Sequence, residues 1–557
     1  MTATVDIPDG DIAFISEQIT EESATQPPGG DARSQRSETI KPIMWRLHFL
    51  GGFLAAPIIF TLCLSGILYA WNPQIDGLRF GEIINQSDSS EVVPLSDQIA
   101  AAQAEYPDWG VYAVTPANDG RNSKLTMDPP GGGQGFGGPD DAEFVYVDPA
   151  SGAVTGVIAN DQTSDSWLRT MHSSLHLGPN AERLTELAGS WFLVTLLTGL
   201  FLWWPSLRRR GTIAFSARSG IEGRRRDKDW HNFIGVGLLV PMLLLVVTGL
   251  TWTEYAGDRV DIAKEQLSVP RNGANPALPE PSEGHQNMAN IDRVVLAAQQ
   301  QGLVEPVQIV IPADADTGWR VASQDARFPV ERDQLTVDGA TGDITASFDY
   351  SDEHWFNKLR TAGILFHQAQ LFGTPLQVFM TALTLAIAYL TFLGYRMWWR
   401  RRPVGGLGVP PPIRSWARNA PIPVLAAAVV LAYLMPILAA SFAVWLLLEA
   451  GVRWFRILRD PAPGTSIQNP PGHIASASIL VVLGAGMLLA PNFGEGVEDP
   501  GTLHRLGIWL WDWPLGLLTL GVGAVGLAAA FRANADRSDS DSQPASKQPS
   551  LAGKASK

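Results

Sequence analysis

Cysteine is almost missing from this chain: one residue, Cys63, in 557. That excludes an intrachain disulfide, a cysteine-based zinc site and a cysteine-held iron–sulfur cluster. Placed in an apolar stretch, Cys63 reads as a small buried hydrophobe. Charge is also scarce, with 17% Asp, Glu, Lys and Arg against about 25% in typical soluble domains. The net charge of −14 argues against a nucleic-acid partner. Residues 1–40 contain no apolar run of the signal-peptide kind. Walker sequences, metalloprotease helices and serine nucleophile elbows are missing too. The spacing Gly133-Gln134-Gly135-Phe136-Gly137-Gly138 imitates a dinucleotide fingerprint, but it sits in a Pro/Gly-rich segment without strand–helix context. With no flavin or nicotinamide fold, any redox role needs electrons from elsewhere.

What the chain does have is apolar length and tryptophan, 19 residues of the latter. Runs able to cross a hydrocarbon layer of about 30 Å lie near 46–71, 184–205, 231–253, 374–399, 422–448, 473–491 and 506–531. Basic residues cluster at Lys41 and Arg46, at Arg208–Arg210 and Arg224–Arg226, and at Arg400–Arg402. With alternating spans, each cluster falls on the same side, which predicts a cytoplasmic N-terminus. The expected organisation is a disordered tail (1–40), a first span (41–71), an external domain (72–171), a second span (172–207), a basic loop (208–229), a third span (230–254), a second external domain (255–355) and a fourth span (356–402). A membrane region of about three further spans (403–534) and a polar tail (535–557) follow. Arg453, Arg456 and Arg459 would then face outward, so either one late span is re-entrant or the charge rule fails there.

An internal repeat runs through this plan. His48 precedes Gly66 by eighteen residues, and His231 precedes Gly249 by eighteen. His172 precedes Gly178 by six and Gly199 by twenty-seven, as His367 precedes Gly373 and Gly394. Trp203–Trp204 and Trp398–Trp399 close the two copies, and Leu-Arg-Thr stands before both later histidines, at 168–170 and 359–361. Each external segment begins with an Ala/Gln-rich helical stretch and ends in strand–turn–strand, "FVYVDPASGAVTG" and "QLTVDGATGDITA".

These features together resemble the PepSY-associated transmembrane family, which includes iron-regulated membrane proteins and siderophore-linked ferric reductases. The resemblance rests on the Trp-x-x-His and Trp-His openings, the His-x5-Gly and Gly-x3-Trp-Trp patterns and the two PepSY-like segments, over roughly residues 40–402. It implies a polytopic α-helical membrane protein with a four-helix core built from two helix–PepSY–helix repeats, two small external α+β domains and about three more spans. It also implies b-type haem and reduction of ferric complexes, such as an iron–siderophore, on the external face of a bacterial inner membrane. The electrons would come from a cytoplasmic donor or membrane quinol.

Histidine placement, read from the residues alone, offers candidate haem ligands, the alternative being interfacial histidines with their polar tips in the headgroups. Four of the nine histidines are repeat-matched at span ends. Ionisable groups at such depths are functional candidates, and imidazole is a good haem ligand. Alternation puts His48 with His231 at the inner side and His172 with His367 at the outer side, predicting two haem irons at two depths. Gly51, Gly52, Gly235 and Gly237 are expected to leave room for a flat macrocycle. His176, four residues after His172, is an alternative outer ligand, although its repeat counterpart is Leu371. Arg169 and Arg360 are candidate partners of haem propionates. His285 and His354 are expected to be exposed, and His473 and His504 to lie on opposite faces. The competing readings are a haem-free anchor presenting PepSY domains to a partner protein, and a transporter; the clear spans lack the midplane acids or lysines that would couple ions.

Overall fold

The computed structural model describes residues 32–403 except for 87–91, 131–133, 136–137, 140, 179–180, 212–219, 221, 271–272, 281–283 and 285, together with Gly408, residues 422–459, Ala477, Ser478, Leu480 and residues 521–529. The expected spans at 473–491 and 506–531, both terminal tails except 32–40, and His285, His473 and His504 lie wholly or mostly outside these residues.

The first repeat starts with helices α1 (Ala32–Leu54) and α2 (Ala56–Ala70), which meet at Ala55 with a bend of 55°. Helix therefore begins at Ala32, inside the stretch read from sequence as a tail. Pro57 opens α2 and cannot donate to the carbonyl four residues back. That carbonyl, of Phe53, accepts instead from the Tyr395 hydroxyl at 2.8 Å, so the break leaves no orphan there. Short helices α3 (Asn72–Arg79) and α4 (Gly81–Ile84) lead out to α5 (Leu95–Glu105). Six strands follow: β1 (Gly110–Thr115), β2 (Ser123–Asp128), the two-residue pair β3 (Gln134–Gly135) and β4 (Gly138–Pro139), then β5 (Glu143–Val147) and β6 (Val154–Ala159). The fingerprint-like glycines thus belong to a minimal hairpin. The repeat returns through α6 (Ser164–Ser174) and the long α7 (Glu182–Arg210).

The second repeat mirrors it. Helices α8 (Gly223–Gly237) and α9 (Leu239–Leu250) bend by 63° near Pro241. Next come α10 (Glu254–Gln266), α11 (Ile291–Gln301) and strands β7 (Val307–Val310), β8 (Trp319–Ser323), β9 (Gln334–Val337) and β10 (Ile344–Phe348). Helix α12 (Trp355–His367) precedes the long α13 (Thr374–Arg401).

Two expectations change here. The external segments do not form two domains. Their strands join one antiparallel sheet in the order β10-β9-β8-β7-β1-β2-β5-β6, closed at its centre by Ala113 opposite Val310 and Val114 opposite Ile309. Each half alone would leave an unpaired edge strand and a half-covered apolar face. Together they bury Ile99, Leu125, Met127, Ile291, Ile309 and Trp319 in one cluster. Second, the core is not four uninterrupted helices. Among the described residues only α7 and α13 are single helices long and apolar enough to cross a membrane; α1–α2 and α8–α9 qualify as bent pairs. His172 and His367 are likewise not inside spans but on α6 and α12. Positive φ at Leu175 and His176, and at Ala369 and Gly373, turns the chain before each span begins.

The matched hairpins read from sequence are present: Gly152 N–H donates to Asp148 O at 2.8 Å and Gly342 N–H to Asp338 O at 2.7 Å, each glycine at positive φ. Beyond the repeats, α14 (Ile422–Leu434) and α15 (Pro436–Arg459) form a third bent pair, folded back by 118°. This agrees with a broken or re-entrant span. Glu449 on α15 pairs with Arg46, and Ser441 accepts from Trp191 Nε1 at 3.0 Å.

Replacing Ile309 by Ala at the central seam should cost about 2–5 kcal/mol. Limited proteolysis should then open both halves of the sheet together; cleavage confined to residues 255–355 would show that the halves are independent.

Candidate functional site

The four repeat-matched histidines meet in the expected pairs. His48 on α1 and His231 on α8 have ring centres 6.1 Å apart with planes at 89°. His172 on α6 and His367 on α12 also have ring centres 6.1 Å apart, with planes at 71°. A metal–imidazole bond is about 2.0 Å and the nitrogen lies about 1.2 Å from its ring centre, so two rings gripping one metal from opposite sides are centred about 6.4 Å apart. Both pairs stand close to that spacing.

Why the rings face each other follows from what holds their other nitrogen. His48 Nδ1 bonds Thr195 O at 2.9 Å, and His367 Nδ1 bonds Leu245 O at 2.9 Å. His172 Nδ1 contacts Leu62 O and Ser65 Oγ, the latter at 3.0 Å. His231 Nδ1 is turned toward Leu390 O without closing a hydrogen bond. Each of these carbonyls belongs to the residue four before a glycine: Thr195 before Gly199, Leu245 before Gly249, Leu62 before Gly66 and Leu390 before Gly394. Inside a helix a carbonyl keeps a second lone pair after accepting from residue i+4. A side chain at i+4 would cover it; glycine leaves it open. A Cβ on Gly199 would lie 3.0 Å from His48 Cε1, on Gly249 2.7 Å from His367 Cε1, and on Gly66 3.4 Å from His172 Cε1. With Nδ1–H engaged by a carbonyl, Nε2 is the nitrogen left as an electron-pair donor. Such locking of the far nitrogen is how ligating histidines are oriented.

A hydroxyl precedes three of these glycines. Ser65 Oγ lies 3.0 Å from His172 Nδ1, Thr198 Oγ1 3.4 Å from His48 Nδ1, and Thr248 Oγ1 3.4 Å from His367 Nδ1. The fourth position is Leu393, buried beside Gly394. The hydroxyl–glycine pattern is visible in the sequence, where the glycines served only as repeat markers.

Around His48 and His231 lies a cavity of about 460 Å³, within the size range of cofactor sites. Trp45, Phe49, Trp203 and Trp398 wall it, and Arg209, Arg224, Lys228 and Arg401 line it as well. Gly52 and Gly235 line it as expected. Gly51 lines it too, and a Cβ there would strike Thr195 Oγ1 at 2.5 Å, so Gly51 also serves helix contact; Gly237 is not among the lining residues. His48 and the His172-contacting Gly66 are separated by eighteen residues of bent helix, roughly 25 Å. The two pairs therefore stand near opposite ends of the apolar layer.

His176 does not join a pair: its Nε2 bonds Trp167 O at 3.0 Å and its ring packs on Trp167, because the chain has already left the helix. His172 is the residue that faces His367. Arg360 donates to Asp261 at 2.8 Å and to Thr251 O at 3.2 Å, and lies over Trp252. Arg169, its repeat counterpart, is exposed and makes no ion pair among the described residues. His354 caps α12 through Phe356 N–H. Groups of three or more His, Cys, Asp or Glu able to hold a bare metal ion do not occur among the described residues.

Comparison with protein families matches residues 45–401 to the PepSY-associated TM region. No curated protein matches the chain.

Gly249→Ala should destabilise the protein by about 1–3 kcal/mol through steric displacement of the His367 ring. Gly394→Ala, whose Cβ meets nothing within 4 Å, should be neutral or stabilise by up to about 1 kcal/mol, the helix-propensity gain. Thermal unfolding in detergent distinguishes the two.

Proposed function

Because the chain belongs to the PepSY-associated TM family, we propose that it is a membrane electron carrier holding two b-type haems, one in each histidine pair. The observation that carries this reading is the pair of facing imidazoles, twice repeated at 6.1 Å with the far nitrogens turned to helix carbonyls. His48 and His231 would hold one haem, His172 and His367 the other. Bound there, haem supplies one-electron reduction and oxidation.

The chain's own residues perform three tasks. Each imidazole pair would hold a haem from both sides, which would favour electron passage over ligand chemistry. The carbonyl contacts of Thr195, Leu245 and Leu62 fix each ring and raise its basicity. Arg209, Arg224, Lys228 and Arg401 give the cavity cationic partners for propionate carboxylates. At the other pair Arg169 is exposed and stands near Tyr69, whereas Arg360 is held by Asp261.

The basic end, by the positive-inside rule, is the cytoplasmic one. Electrons would arrive there from a soluble donor or quinol. They would leave beneath the eight-stranded sheet to a ferric complex, such as an iron–siderophore, by outer-sphere transfer. The sheet would hold that substrate on the side of His172 and His367, whose helices follow its outer strands β6 and β10.

The purified protein should show the Soret and α bands of six-coordinate haem b at about two equivalents per chain. His48→Ala and His367→Ala should each remove about one equivalent. A colourless protein from haem-replete cells would favour the haem-free anchor, and unchanged spectra in both variants would reject these ligands. In proteoliposomes loaded with a reductant, an external ferric siderophore should be reduced by the native chain and not by either variant.

A further inference from the structure

The four histidines are not held equally, and the difference is confined to one of them. Three have a closed hydrogen bond at Nδ1, His48 to Thr195 O, His367 to Leu245 O and His172 to Ser65 Oγ, with a hydroxyl within 3.4 Å and a glycine against the ring. His231 has none of the three in full. Its Nδ1 is buried with no hydrogen-bond partner, and Gly394 stands clear of the ring. Leu393 occupies the place that Thr198, Ser65 and Thr248 fill elsewhere. The ring also borders the 460 Å³ cavity, which gives it somewhere to move. Its partner His48 is braced: Thr195 O holds its Nδ1, Thr195 packs on Gly51, and the neighbouring Trp191 is tied to Ser441 of α15.

Resting on the two-haem reading above, we infer that His231 is a releasable ligand, and that the position it vacates binds a small neutral π-acceptor such as carbon monoxide or nitric oxide. The physical reason is a missing restraint. An imidazole locked at Nδ1 must break that hydrogen bond as well as its bond to iron to swing away, whereas His231 would give up only the bond to iron, which the incoming ligand replaces, and would gain the chance to satisfy a buried donor. Ligand binding at this haem would hold it ferrous and arrest electron entry, so the basic-end pair is a gas-sensitive gate while the sheet-end pair is not.

Haem is counted first by pyridine haemochrome, so a failure of the two-haem reading is seen before this test begins. The dithionite-reduced full chain is then titrated with carbon monoxide. Uptake should involve about one of the two haems, and it should persist in His367→Ala, which lacks the sheet-end haem. Leu393→Thr restores the missing hydroxyl and should weaken carbon monoxide binding by about 3–10-fold, the equivalent of one hydrogen bond. Thr198→Val, which loosens His48 instead, should strengthen it. Absence of uptake with both haems present, loss of uptake in His367→Ala, or unchanged affinity in both Leu393→Thr and Thr198→Val would each overturn the inference.

Discussion

An imidazole inside a lipid-bounded bundle has two nitrogens, and an unmet buried donor is costly. Everything distinctive in this core follows from how that constraint is met. One nitrogen goes to a carbonyl on the neighbouring helix; the other is thereby turned toward the partner imidazole. The carbonyl is reachable because the residue four positions on is glycine, so a backbone choice on one helix sets a side-chain direction on another. Thr195, Leu245 and Leu62 do this for His48, His367 and His172.

The same requirement explains the architecture around the pairs. Bends near Pro57 and Pro241 carry α1–α2 and α8–α9 past both ends of the bundle, so that one bent pair supplies a histidine at one level and a glycine seat at the other. Tyr395 closes the carbonyl that Pro57 frees. The eight-stranded sheet ties the two repeats together on one side, and α6 and α12 bring His172 and His367 back to the bundle directly from its outer strands. The appended α14–α15 pair adds Glu449 against Arg46 and Ser441 against Trp191, on the first repeat's side.

Duplication produced near-equivalence, and the departures from it are chemically specific. Arg360 is locked by Asp261 while Arg169 is exposed near Tyr69. Leu393 stands where the other three copies place Ser or Thr, and His231 is the histidine left without a closed bond. A symmetric scaffold thus offers two sites with different rigidity.

The amino-acid sequence alone determined the membrane class, the repeat, the pairing of His48 with His231 and His172 with His367, and the Asp–Gly hairpins. These depend on hydropathy, spacing and alternation, which are properties of the chain read along its length. Tertiary structure decided the rest. The external segments fuse through β1 and β7 because an edge strand's unpaired groups are satisfied only by another strand, and nothing local names that partner. His176 is excluded because positive φ at Leu175 and His176 ends the helix that would have carried it onto the same face. The glycines became ring seats only when helices met, since which carbonyl an imidazole reaches is fixed by the approach of two elements far apart in sequence.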